Sequence, residues 1–267
     1  VGVAWNGLLP GQYFPGDTVL HRLDPRCKIV VCGLLMVATL AARELYILLP
    51  ALTLLLATRL ARLPVSQLWR GMKLFWIFLL VTMLLQFFFT AGDVIYTLGP
   101  LQISRQGVAL GVSMFGRIVL LILSGILLTF TTSPSRLTAG IESLLSPISR
   151  LGLPVADIAL MMTIAMRFVP LLLDETWQIM QAQQARGGSM AIRQPAARLK
   201  SALALLVPVL IGVLRRAEEL ALAMEARCFV PGSRRTHLHS PCWRARDTAV
   251  LLGACGVLVV VLAGRYI

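Results

Sequence analysis

VADIALMMTIAMRFVPLLLDETWQIMQAQQARG (Val155–Gly187) and PAARLKSALALLVPVLIGVLRRAEELALAMEARC (Pro195–Cys228) decide the fold of this 267-residue chain. In the first, Ile158, Met162, Ala165, Val169, Leu172, Leu173, Trp177 and Met180 recur at helical spacing. In the second, Leu203, Leu206, Leu210, Val213, Ala217, Leu220 and Met224 alternate in steps of three and four, an a/d seam. Arg215, Arg216, Glu218 and Glu219 fall off that seam. Two long amphipathic helices are therefore expected, the second packing along a partner, most simply the first, or along a membrane face. Pro170 and Pro208 each remove a backbone donor and predict a bend.

The two helices close alike. Gln184-Ala185-Arg186-Gly187 ends the first and Glu225-Ala226-Arg227-Cys228 the second, with the arginines 41 residues apart. A cation at a helix C-terminus already has a structural reason, the helix dipole. Two matching ends point further. A small residue on each side leaves the guanidinium projecting from a slim tip, which suits a groove on a partner subunit where a carboxylate accepts a bidentate pair.

Outward from this region the chain turns apolar. Hydrophobic residues make up 57% and charged residues 14%, and the mean hydropathy is +0.80. That is too apolar for an ordinary soluble domain and predicts an all-α, polytopic membrane protein. About five transmembrane helices are expected, near Ile29–Ala42, Leu45–Ala57, Leu74–Thr90, Gly107–Thr131 and Thr248–Ala263. A short amphipathic stretch around Pro64–Trp69 precedes the third, and Ala91–Gln106 reads as a loop. The organisation is then residues 1–131 with four spans, 132–247 as a cytoplasmic domain of long amphipathic helices, and 248–267 with the last span. Extra spans inside 154–173 or 203–214 are an alternative that amphipathicity disfavours.

Net charge is +13, but the basic residues sit beside apolar runs, so a positive-inside bias explains them and nucleic acid does not. Segments assigned to the cytoplasm hold 21 Lys and Arg; the opposite side holds three, Arg43, Arg105 and Arg265. This places the N-terminus in the cytoplasm and the C-terminus outside the cell membrane. Arg117 falls inside the fourth span, where a charge either has a functional role or simply faces the bundle interior or reaches toward the outer headgroups; the latter, non-functional reading is preferred. Residues 1–20 lack a charged and then apolar leader pattern, so no cleavable signal is expected.

Local signals mark the element starts. Asp24-Pro25 is a cap followed by a first-turn proline, and Ser133-Pro134 repeats the pattern ahead of a short amphipathic helix near Pro134–Leu145. Five scattered cysteines argue against a disulfide framework. The sequence has no P-loop and no hydrolase or metalloprotease motif. His237-x-His239-x-x-Cys242 has the residue types of a metal site, though a basic loop beside a span is the simpler account. No catalytic residue, metal site or cofactor is expected. A membrane-embedded enzyme would need polar groups converging at one depth, and only Arg117, Gln86 and some Ser and Thr are available. A self-contained secondary transporter would show a repeat among its spans; the near-repeat here lies in the long amphipathic helices.

Several stretches in order resemble the transmembrane T component of energy-coupling factor importers. They are Gly11-Gln12-Tyr13-Phe14-Pro15-Gly16, His21-Arg22-Leu23-Asp24-Pro25-Arg26, Thr131-Thr132-Ser133-Pro134, Gly152-Leu153-Pro154, Arg167-Phe168-Val169-Pro170, Ala182-Gln183-Gln184-Ala185-Arg186-Gly187 and Ala221–Arg227. The resemblance implies a non-catalytic subunit joining two cytoplasmic ATP-binding-cassette ATPases to a substrate-binding membrane S component, for vitamin or metal-ion uptake. It implies that Ala185, Arg186 and Gly187, and Ala226, Arg227 and Cys228, are the ATPase-coupling motifs. Cys228 stands where such proteins have glycine, which opens the question of the backbone at the second tip. Met161, Met162 and Met166 with Leu203, Leu206 and Leu210 are the candidate S-component contacts. Methionine suits an adaptable surface, and core packing is the alternative use.

Overall fold

A computed structural model describes residues 18–62, 64–90, 93–98, 101–147, 154–186, 195–230 and 243–266. The order is α1 (Pro25–Ala41), a 3-10 turn (Glu44–Ile47), α2 (Leu48–Ala61), α3 (Val65–Phe89), β1 (Val94–Leu98), β2 (Leu101–Ser104), α4 (Arg105–Thr131), α5 (Pro134–Leu145), α6 (Val155–Ala185), α7 (Pro195–Ala226) and α8 (Ala245–Tyr266). Helices carry the fold, as the all-α reading expects. The chain forms two compact units, Val1–Ile141 with His239–Ile267, and Glu142–Leu238.

Two expectations are corrected. The stretch around Pro64–Trp69 is not separate from the third apolar run: Val65–Phe89 is one continuous helix, because nothing between Trp69 and Leu74 breaks it. The stretch expected to be a loop holds an antiparallel ribbon, with Val94 opposite Ser104 and Leu98 opposite Leu101. Val94, Ile95 and Tyr96 supply the β-preferring residues. Among the described residues, two helices are long and apolar enough by themselves to cross a bilayer, Arg105–Thr131 and Ala245–Gly264. Leu48–Ala61 and Phe75–Phe89 are shorter apolar helices, and α1 has 17 residues.

In the first unit α1 packs against α8 and α4, and Leu35, Leu54, Ala61 and Leu127 form its buried cluster. Helix α3 lies against α4 at Gly107 and Gly111, a small-xxx-small pair that brings backbones close. A Cβ at Gly107 would sit 2.8 Å from the backbone oxygen of Gln86, and one at Gly111 would sit 2.6 Å from the Phe87 ring. Ser104 caps α4 by accepting the Gly107 N–H at 2.9 Å, and its hydroxyl donates to the Thr90 carbonyl at 2.7 Å.

Buried polar groups tie the helix ends together. Asp24 is the N-cap of α1 and accepts the Arg26 N–H, with Pro25 at the first helical position. Asp247 accepts the Asp24 N–H at 2.9 Å through one oxygen and the Arg244 N–H at 2.8 Å through the other, so one carboxylate caps α8 and holds α1. Lys28 donates to the carbonyls of Thr131 (2.9 Å) and His21 (3.3 Å) and to the Thr132 hydroxyl (3.4 Å). Burial, with the nearby charge of Arg136, pulls its ammonium down to about 8. Arg117 takes the interior role: it donates to the carbonyl of Ala42, the C-cap of α1, where a cation also complements the helix dipole.

Candidate functional site

The site expected from sequence is a pair of helix ends in the second unit. Helix α6 has 31 residues and α7 has 32, each spanning about 45 Å or slightly more at 1.5 Å per residue. Both run unbroken through their internal prolines, Pro170 and Pro208.

The ends match in register as well as in sequence. Ala185 is the last residue of α6 and Arg186 its C-cap; Ala226 is the last residue of α7 and Arg227 follows it. The Arg186 N–H bonds to the Ala182 carbonyl at 3.2 Å. Both arginines are exposed, and among the described residues neither forms an ion pair. Each guanidinium is thus available at the negative end of a helix. Gly187 lies outside the described residues, as do Gly11–Gly16, Gly152-Leu153 and the His237, His239 and Cys242 set.

The question raised by Cys228 has a geometric answer. Its φ is +55°, the left-handed conformation that a glycine adopts without cost. The Phe229 N–H reaches the Met224 carbonyl at 3.1 Å and the Cys228 N–H reaches the Glu225 carbonyl at 2.9 Å. Those two bonds define a Schellman ending with Cys228 at C′. The cysteine therefore keeps the backbone of a glycine-terminated tip at a cost in strain. Cys228→Gly is expected to raise stability by about 1 kcal/mol and leave the tip's function unchanged. Denaturant unfolding of the two proteins in detergent measures the first, and uptake assays the second.

Helices α6 and α7 meet at Glu175. Its carboxylate lies 3.1 Å from Arg216, and a Cβ on Gly212, one turn earlier in α7, would sit 3.1 Å from the same carboxylate. Arg216 was expected to lie off the packing seam. It is drawn into the contact because its long stem reaches Glu175 while Gly212 leaves room for the carboxylate. The side chains are 25% and 34% exposed for Glu175 and Arg216, so solvent weakens but does not remove the attraction. A double-mutant cycle with Glu175→Gln and Arg216→Gln should show a coupling of about 0.5–1 kcal/mol. By contrast Arg215 and Glu219, paired at 3.2 Å, are 80% and 64% exposed, and little coupling is expected there.

The candidate S-component residues are all exposed, from 36% for Met162 to 61% for Met161. Leu203, Leu206 and Leu210 are exposed as well, so the upper part of the α7 seam has no partner among the described residues of this chain, while Val213, Leu220 and Met224 are half-buried. A helical apolar period signals a face needing cover, and among the described residues nothing buries these three methionines. Sequence reading missed three features. The Gly107–Gly111 spacing was legible as a packing signal, whereas the reach of Asp247 to Asp24 and of Glu175 to Arg216 had no local signature.

Two helices long and apolar enough for a bilayer, joined in one chain to a unit of two long helices that each end on an exposed arginine, fit a helical membrane protein. Residues 16–238 match the family described as cobalt transport protein, CbiQ. The chain is 43% identical over 256 residues to the energy-coupling factor transporter transmembrane protein EcfT of Acidaminococcus fermentans, covering 94% of this chain and 95% of that one. It is 43% identical to the protein of that name from Listeria innocua (92% and 93% covered) and 39% identical to that from Bacillus subtilis (92% and 94%). The chain belongs to this family, as an EcfT-like transmembrane T component of energy-coupling factor transporters. It is by family a membrane subunit of a transporter and not an enzyme.

Proposed function

We propose that this T component couples two cytoplasmic ATP-binding-cassette ATPases to a separate substrate-binding S component, driving uptake of a vitamin or metal ion. The observation that carries this reading is the equivalent placement of Arg186 and Arg227, each exposed just past the last residue of a long helix. A tip held in each ATPase moves when ATP binding draws the two ATPases together, and the helices shift against one another at the Glu175 contact. The exposed apolar residues of α6 and α7, Met161, Met162, Met166, Leu203, Leu206 and Leu210, hold the S component. In this reading residues 132–247 are the cytoplasmic coupling domain, and the remaining helices cross the cell membrane several times. The N-terminus is then cytoplasmic and the C-terminus outside, in keeping with the distribution of Lys and Arg. No cofactor or metal takes part, and ATP hydrolysis belongs to the partner ATPases.

Co-expression with two candidate ATPases and an S component, followed by purification through a tag on this chain, tests the proposal. Retention of both ATPases together with the S component is expected. A chain that is folded and membrane-inserted yet retains no ATPase overturns it.

A further inference from the structure

A cavity of about 260 Å³ lies between α1, α2, α4 and α8, all within the first unit. Its wall is formed largely by aliphatic residues such as Val31, Leu35, Leu54 and Leu128. The hydroxyls on it are already engaged by their own helices: Ser124 donates to Leu121, Thr53 to Pro50 and Thr131 to Leu127. Water needs two to four polar partners to stay in such a space, and a cavity lined by Leu stays dry. Inside a helical membrane protein the medium at hand to fill it is hydrocarbon.

One end differs. Lys28 is the one charged residue lining the cavity among the described residues. It is buried, and its hydrogen bonds go to two carbonyls and a hydroxyl, all neutral. No carboxylate lies within ion-pair distance of it among the described residues. Both oxygens of Asp247 accept backbone N–H groups, and one oxygen of Asp24 does the same. From Lys28 to Leu35 along α1 is about 10 Å, so the cavity runs from a cationic end to an apolar one.

We propose that this cavity is a lipid site holding one acyl chain of an anionic phospholipid, with the phosphate facing Lys28. The site is independent of the coupling reading, since it uses no residue of α6 or α7.

The test uses the full chain purified in mild detergent, with bound lipid counted by native mass spectrometry and stability followed by thermal unfolding. Phosphatidylglycerol, phosphatidylcholine of the same chain length, and oleate are added back separately. Gly253 lines the cavity and a Cβ on it meets nothing within 4 Å, so Gly253→Phe adds a ring at the cavity wall without a backbone clash. Gly33 is equally open and, like Gly253, exposed, but it does not line the cavity, so Gly33→Phe serves as the control. Wild type and Gly33→Phe are expected to bind one phosphatidylglycerol and to gain thermal stability from it. Gly253→Phe, folded by circular dichroism, should lose about tenfold or more in affinity. Lys28→Gln should keep acyl-chain binding but lose the preference for phosphatidylglycerol over phosphatidylcholine. Wild-type lipid binding by folded Gly253→Phe overturns the site. Equal binding of the two phospholipids by wild type overturns the role of Lys28, and preference for oleate overturns the assignment to phospholipid.

Discussion

Reversing the charge at both tips, Arg186→Glu with Arg227→Glu, is expected to abolish ATP-driven uptake while leaving the chain folded in the membrane. Both side chains are exposed and neither makes an ion pair among the described residues, so the fold loses no buried contact. A carboxylate at a helix C-terminus is unfavourable by about 0.3–1 kcal/mol at each end. That is small beside a total stability on the order of 5–15 kcal/mol. At an interface the balance differs. Removing one partner of a desolvated, hydrogen-bonded charge pair costs about 2–5 kcal/mol, which is about 30-fold or more in dissociation constant. Reversal adds like-charge repulsion. Each single variant should weaken retention of one ATPase, and the double variant should retain neither in a co-purification from membranes. Arg→Lys at either tip should fall between, because an ammonium cannot reproduce a bidentate guanidinium fork. Normal uptake by the double variant would remove the coupling reading.

The second large effect is on folding. Gly107→Leu is expected to lower the yield of folded protein sharply and to cost at least about 3 kcal/mol in stability. The new Cβ would sit 2.8 Å from both the backbone oxygen of Gln86 and the Ser104 hydroxyl, with the Phe87 carbonyl oxygen at 3.2 Å. A side chain can rotate away from a clash; a helix backbone cannot, so α3 and α4 must separate. Helices in lipid associate through close packing and have little hydrophobic drive to make up the loss. Gly111→Ala should be milder, since the ring of Phe87 can tilt. Gly116→Leu on the same helix, where a Cβ meets nothing within 4 Å, should be near neutral. Size-exclusion profiles and thermal unfolding in detergent rank the three. Equal stability of Gly107→Leu and wild type would mean that α3 and α4 do not pack through this glycine.

Much of the helical framework was legible before any coordinates. Asp24-Pro25 and Ser133-Pro134 each open a helix where expected, and α6 and α7 end within two residues of the positions read from Gln184–Gly187 and Glu225–Cys228. The two Ala-Arg ends were equally readable as a matched pair. The ribbon at 94–104 was not, because its strands are only five and four residues long and the stretch sits between two far stronger helical signals.

Sequence by itself determined where the capped helices begin and where the two long ones stop, that the chain belongs in a membrane, and which two arginines end alike. These rest on chemistry within about four residues along the chain or on composition summed over a span, and both are written locally. The tertiary structure decided the rest. Asp247 reaches back 223 residues to the backbone of Asp24, Lys28 reaches 103 residues to Thr131, and Arg117 closes the end of α1 across 75. Periodicity marked Leu203, Leu206 and Leu210 as a face but could not tell a buried face from an uncovered one. That depends on which surfaces the rest of the chain brings alongside. Cys228 makes the same point on one residue: its letter left the backbone of the tip in question, and its positive φ, with the bonds to the Met224 and Glu225 carbonyls, keeps the glycine-like turn.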